Sequence, residues 1–161
     1  MTTPTTQMVL YNGPLGKYAN LTNAFKSVNM AWDGARGMNY SLPRYNGQTT
    51  HGTINQIQAW AGPDSFATPT TNSVRVQVRI KATNAVVADS GTVIYDTGTM
   101  LLNGPNEKNT GTAQIHRPGQ QTILFPVSSE EEISVWINSN GNGNLNDEFG
   151  VLVTWNLFVP N

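Results

Sequence analysis

Asp96-Thr97-Gly98-Thr99 follows the apolar run Val93-Ile94-Tyr95 and puts a carboxylate at a strand end, just before a glycine. Asp89-Ser90-Gly91-Thr92 repeats the arrangement a few residues earlier. Two carboxylates about 3 Å apart can share a proton and hydrolyse a bond by acid–base chemistry. Such a pair comes from two lobes or two subunits, whereas motifs this close fall on successive turns of one meander. Asp-Ser-Gly and Asp-Thr-Gly are also ordinary turn sequences, in which Asp bonds the local backbone and Gly takes a positive φ. The turn reading is the stronger, so no catalytic residue is assigned and the chain is not expected to be an enzyme.

A second candidate is the oxygen-rich stretch at 138–148, Asn-Ser-Asn-Gly-Asn-Gly-Asn-Leu-Asn-Asp-Glu. Alternating oxygen ligands around a central glycine suit calcium. The early ligand positions are Asn rather than Asp, and Glu148 falls one position short of where a bidentate acid belongs. An Asn/Gly hairpin loop is the simpler expectation. The two histidines, His51 and His116, lie apart and without neighbouring acids, so no metal centre can be assembled around them. No cofactor is expected.

The composition narrows the partners. The 161 residues carry 9 Lys+Arg against 10 Asp+Glu, and charged residues make up only 12%, about half the usual share. Such a chain lacks the clustered cations that neutralise phosphates, so neither nucleic acid nor an anionic membrane is expected as a partner. No apolar run approaches the roughly 20 residues of a membrane-spanning helix. There is no cysteine, so disulfides and thiolate metal sites are excluded. The polarity is neutral instead, with 19 Asn, 19 Thr and 15 Gly. Thr favours strands, and Asn and Gly favour turns.

The elements follow from that mixture. Between Ser73 and Thr83, Val74, Val76, Val78 and Ile80 alternate with Arg75, Gln77, Arg79 and Lys81, the period of a half-buried strand whose cations face solvent. Ile133, Val135 and Ile137 repeat the pattern over 132–138, as do Val151, Val153, Trp155, Leu157 and Val159 over 149–159. Shorter strands are expected at 8–11, 27–33, 92–95, 99–102 and 112–116. A turn at Pro118-Gly119 separates the last of these from a strand at 121–127. Residues 53–61 read as a strand of ambiguous facing, and 21–26 as a helical turn. Glu130-Glu131-Glu132 is expected as a solvated start of a strand that guards against edge pairing. Many short strands with frequent turns indicate one all-β domain, a sandwich or barrel, over residues 1–161. Residues 1–50 have weaker patterning and form either an irregular first sheet or an extended arm packing on a neighbour.

Four tryptophans refine this. Trp32 and Trp155 share the apolar faces of their strands and read as core. Trp60 stays in phase with Gln56 and Gln58, and Trp136 is out of phase with Ile133, Val135 and Ile137. An indole on a polar face can be covered by the N-terminal segment, fill a subunit interface, or stack on a sugar ring. Met8, Val9, Leu10, Tyr11, Tyr18, Trp60 and Trp136 are the candidate partner-contacting residues.

In overall texture the chain resembles the jelly-roll capsid decoration, or cement, proteins of tailed bacteriophages. It is cysteine-free and rich in Asn, Thr and Gly, with an irregular first third and a strand-rich remainder. The resemblance covers the whole chain but carries no diagnostic motif, so it transfers no functional residue. It implies a jelly-roll-like β-sandwich, a homotrimer, the major capsid protein as partner, and a place on the capsid exterior of the virion. The alternative is a carbohydrate-binding β-sandwich, a lectin or phage fibre tip, motivated by the Asn-rich loops, Trp60 and Trp136.

Overall fold

A computed structural model describes residues 5–14, 25–27, 39–61, 73–86, 91–101, 116–139 and 148–158. All its regular elements are strands: β1 (Thr5–Pro14), β2 (Lys26–Ser27), β3 (Asn39–Tyr40), β4 (His51–Ala61), β5 (Ser73–Ala82), β6 (Thr92–Asp96), β7 (Met100–Leu101), β8 (His116–Ser128), β9 (Glu131–Ser139) and β10 (Glu148–Phe158). One sheet has the order β1-β10-β4-β8. The other runs β2-β9-β5-β6, with β3 also on β9 and β7 also on β5. Every pairing is antiparallel.

The pairing is nested. β1 joins β10, β2 and β3 join β9, β4 joins β8, and β5 joins β6 and β7. A long antiparallel ribbon rolled into two facing sheets has this connectivity, which is the jelly roll. The all-β, jelly-roll-like sandwich expected from the sequence is therefore the observed fold.

The core lies between the sheets. Ile54, Ile57 and Ala59 of β4 and Val151, Val153 and Trp155 of β10 meet Val76, Val78 and Ile80 of β5 and Ile133, Val135 and Ile137 of β9. Trp155, Ile54 and Ile57 are among the largest fully buried side chains. Removing a buried aliphatic side chain of this kind costs about 2–5 kcal/mol. The alternation in β5, β9 and β10 is thus the inward half of each strand, and Trp155 is core as expected.

β4 shows why its facing is ambiguous from sequence. Thr154 and Trp155 of β10 pair with Gln56 and Ile54, so Asn55 is an extra residue. This bulge resets the phase, which brings Ile54 and Ile57 to the same face although they are three apart.

Other expectations change. Pro118 and Gly119 make no turn: they lie inside β8, with Gly119 opposite Ala59. β8 is an edge strand, where a proline removes no ladder bond that the sheet needs. The described parts of residues 1–50 form no extended arm, because β1 pairs with β10 of the same chain and β2 and β3 pair with β9. They are edge strands of the two sheets. Of the strand expected at 27–33, only Ser27 is described, as part of β2. Trp32, Asp89, most of the 21–26 turn and the 140–147 part of the Asn/Gly stretch lie outside the described residues.

Candidate functional site

The two sheets present two outer faces of opposite character. On the β5/β9 face the polar side chains bind one another. Arg75 donates to both oxygens of Asp96, Nε to Oδ1 at 2.8 Å and Nη2 to Oδ2 at 2.6 Å. Gln77 Nε2 donates to Asp96 Oδ2 at 2.8 Å. The Gln77 carbonyl accepts from Arg79 Nε and Nη2 at 3.0 and 2.7 Å. The Arg79 guanidinium then lies 4.2 Å from the Trp136 ring centroid, and the indole N–H donates to Ser134 Oγ at 3.0 Å. Phe25, just before β2, stands 5.5 Å from the guanidinium carbons of both Arg75 and Arg79.

Asp96 explains its own motif. Its Oδ1 accepts the backbone N–H of Gly98 at 2.8 Å, and Gly98 has φ +66°. Thr97 Oγ1 accepts the N–H of Val76 at 3.0 Å. Asp-Thr-Gly is therefore a turn clamp that ties the end of β6 to β5. The Arg75 fork, followed by the Gln77 amide and Gly98 N–H bonds, holds the Asp96 carboxyl down at about 2 against the cost of its partial burial. A carboxylate so committed has no spare proton near neutral pH, and among the described residues its charged neighbours on this face are the cations Arg75 and Arg79.

The face is not simply solvated. Arg75 is exposed, but Gln77 is 8% exposed and Ser134 7%. Gln77 is held by Arg79 and Asp96, and Ser134 by the Trp136 indole, contacts the alternation alone does not announce.

The β4/β10 face differs. Alternation around the Asn55 bulge turns Thr53, Gln56, Gln58 and Trp60 outward, beside Asn156, Thr154, Leu152 and Gly150 of β10. Trp60 leans across to the neighbouring strand, where its six-membered ring lies against Gly150; a Cβ there would collide with ring atoms. The indole is nonetheless only half-buried, so part of it stays accessible on this face. Gln56, Gln58 and Trp60 are half-buried, and their side chains make no hydrogen bond among the described residues. Thr154, opposite Gln56, is 8% exposed, and its Oγ1 is buried without a partner, alone in this among the described residues.

A third cluster closes the corner where β8 of one sheet passes to β9 of the other through Ser129-Glu130. Glu130 accepts from Arg44 Nη2 at 2.5 Å and Thr49 Oγ1 at 2.8 Å, and its carbonyl accepts from Thr83 N–H at 2.8 Å. Thr49 and Arg44 hold its carboxyl below the usual range. Ser129 and Thr50 exchange two bonds across the same corner. Glu130 is thus a corner brace rather than an edge guard, and the strand it precedes, β9, is flanked on both sides.

Of the candidate contact residues, Met8, Val9, Leu10 and Tyr11 fall in β1, with a register shift between Val9 and Tyr11. β1 is an edge of its sheet. Trp60 and Trp136 lie on opposite outer faces, so the fold does not bring them together. Tyr18 lies outside the described residues. Sequence reasoning missed Phe25 and Glu130; the only available signals were an aromatic beside Lys26 and an acid in a Ser-Ser-Glu turn. No cluster of metal-ligating side chains occurs among the described residues. Compared with known proteins, the chain matches no family model, no curated protein and no solved structure.

Proposed function

We propose that this chain is a virion structural protein, a decoration protein on the capsid exterior that acts by burying surface between subunits. The observation that carries the reading is β1. It is a ten-residue edge strand, Thr-Thr-Gln-Met-Val-Leu-Tyr-Asn-Gly-Pro, without one charged side chain. Among the described residues nothing pairs with its far edge. Proteins that stay monomeric blunt such edges with lysines, short strands or interior prolines. The opposite edge, β8, has those guards in Arg117, Pro118 and Pro126. A long uncharged edge, interrupted only by the register shift between Val9 and Tyr11, suits pairing with a neighbouring chain, whose main-chain bonds supply affinity.

The rolled fold is common in capsid domains and lectins alike, so the surface decides between them. Low charge weakens repulsion between copies, and the charges of two exposed pairs, Arg44–Glu130 and Arg75–Asp96, are neutralised within the chain. The partners are copies of itself, as a homotrimer, and the major capsid protein.

Light scattering across a concentration series tests this, together with binding to capsids stripped of their exterior proteins. A trimer that binds and stiffens capsids, reduced to monomer in Gln7→Lys/Val9→Lys, is the expected result. A monomer that binds no capsid would end the proposal.

A further inference from the structure

We infer that the outer face of the β4/β10 sheet is a binding site for a neutral carbohydrate, centred on Trp60. The inference concerns a sheet face, not the β1 edge, and stands apart from the assembly reading.

The argument begins with what each outer face leaves unspent. On the β5/β9 side, Arg75, Gln77, Arg79, Asp96, Trp136 and Ser134 are bonded or stacked on one another. That face has little left for a ligand, and the Trp136 ring already carries a guanidinium. On the β4/β10 side the carboxamides of Gln56 and Gln58 and the indole N–H of Trp60 have no partner among the described residues. The hydroxyl of Thr154, next to Gln56 in register, is buried and unpaired as well. Buried polar groups are almost always satisfied, so an orphan hydroxyl in register with Gln56, near carboxamides that have no partner among the described residues, marks a place where a bonding partner is missing.

The chemistry of the partner follows from the groups. Two carboxamides supply donors and acceptors in a fixed plane and carry no charge. Six-membered ring atoms of the indole crowd Gly150 while Trp60 stays only half-buried, so the accessible part of the indole offers an apolar surface beside those amides. Sugar rings have this dual character, with hydroxyls around the rim and C–H groups on the face that stack on aromatic rings. From Thr53 to Trp60 and from Gly150 to Asn156 there is no charged residue, so phosphates and acidic sugars find no counter-charge. A peptide or a lipid would need an apolar groove, whereas Leu152 is the one aliphatic among the outward positions of β4 and β10 beside Trp60. A neutral saccharide fits all of these conditions.

The full chain is tested on an array of immobilised neutral hexose, pentose and N-acetylhexosamine oligosaccharides, followed by titration on tryptophan emission. Expected is saturable binding to at least one neutral glycan, unchanged by added salt and by Trp136→Phe. Trp60→Ala and Gln58→Ala each weaken it tenfold or more, while Trp60→Phe retains part of it. Should Trp60→Ala unfold, Gln58→Ala decides alone. A silent array overturns the inference, as does binding that survives the Trp60 and Gln58 changes or binding only to acidic glycans. A change of oligomeric state in folded Trp60→Ala also overturns it, because the face would then be covered by a second copy.

Discussion

The guanidinium carbon of Arg79 stands 4.2 Å from the centroid of the Trp136 ring, from a strand position one register step away. A partly desolvated cation over an indole contributes about 0.5–2 kcal/mol. The same guanidinium bonds Gln77, which in turn bonds Asp96. Arg79→Ala is expected to destabilise the fold by about 1–3 kcal/mol in a denaturant titration, because it also leaves the carbonyl oxygen of buried Gln77 without its donor. Arg79→Lys keeps the charge but loses the fork, and should fall between.

Gly150 has no room for a side chain beneath Trp60. Gly150→Ala must push the indole off the sheet, and overpacking of this kind costs about 1–3 kcal/mol. Adding Trp60→Ala removes the obstacle, so the double variant should be less destabilised than the two single changes added together. Gly52 is a harder case. A Cβ there meets the backbone carbonyl of Asn156 as well as Leu42, and backbone cannot swing aside. Gly52→Ala should therefore lower stability more than Gly150→Ala and find no such rescue.

Asp96 sets an acid limit. Its carboxyl is held down to about 2 from an ordinary 3.8, so the folded state binds its proton less readily than the unfolded chain does. Its contribution is complete above the unfolded value and is lost as pH falls from about 4 through about 2. In Asp96→Asn the thermal midpoint at neutral pH should drop and its slope in that window should flatten. An unchanged slope would show that the ionised carboxylate, held first by the Arg75 fork, contributes nothing to stability.

Glu130 is the exposed counterpart. Its carboxyl, held below the usual range first by Thr49 and then by Arg44, lies at the surface, where such pairs are screened. Glu130→Gln keeps the backbone bond to Thr83 and the Ser129–Thr50 pair. It should cost little in a urea titration, with even that difference shrinking as salt is added. A large, salt-insensitive loss would mean that the corner depends on the charge rather than on the backbone bonds.

The sequence makes the strands of the core legible where period-2 patterning runs unbroken, as in Val74–Ile80, Ile133–Ile137 and Val151–Leu157. It hides them where one residue breaks the phase: Asn55 turns a regular strand into an apparently irregular one. Pro118-Gly119 misleads for a different reason, since the cost of proline depends on whether the strand is interior or edge, which is a property of the sheet. The candidate surfaces divide in the same way. That Trp60 faces outward follows from its spacing to Gln58. That Arg79 lies over Trp136 depends on cross-strand register, which no single strand encodes. Phe25 reaches the arginines only because β2 docks on β9.

The nested pairing has a kinetic consequence. β1 and β4 are not paired with each other; β10 lies between them, joining Thr5 to Asn156 and His51 to Phe158. During synthesis the first sheet therefore waits for its central strand until the 148–158 segment has left the ribosome. Until then the β5 hairpins, the β4–β8 and β5–β9 pairings and the pairing of β2 and β3 with β9 can form, but among the described strands nothing joins β1 to β4. Dominated by distant contacts, such a chain folds slowly. In that interval Ile54, Ile57 and Ala59 of β4 lack the cover of β10, and the uncharged edge of β1 is exposed to premature pairing with other nascent chains.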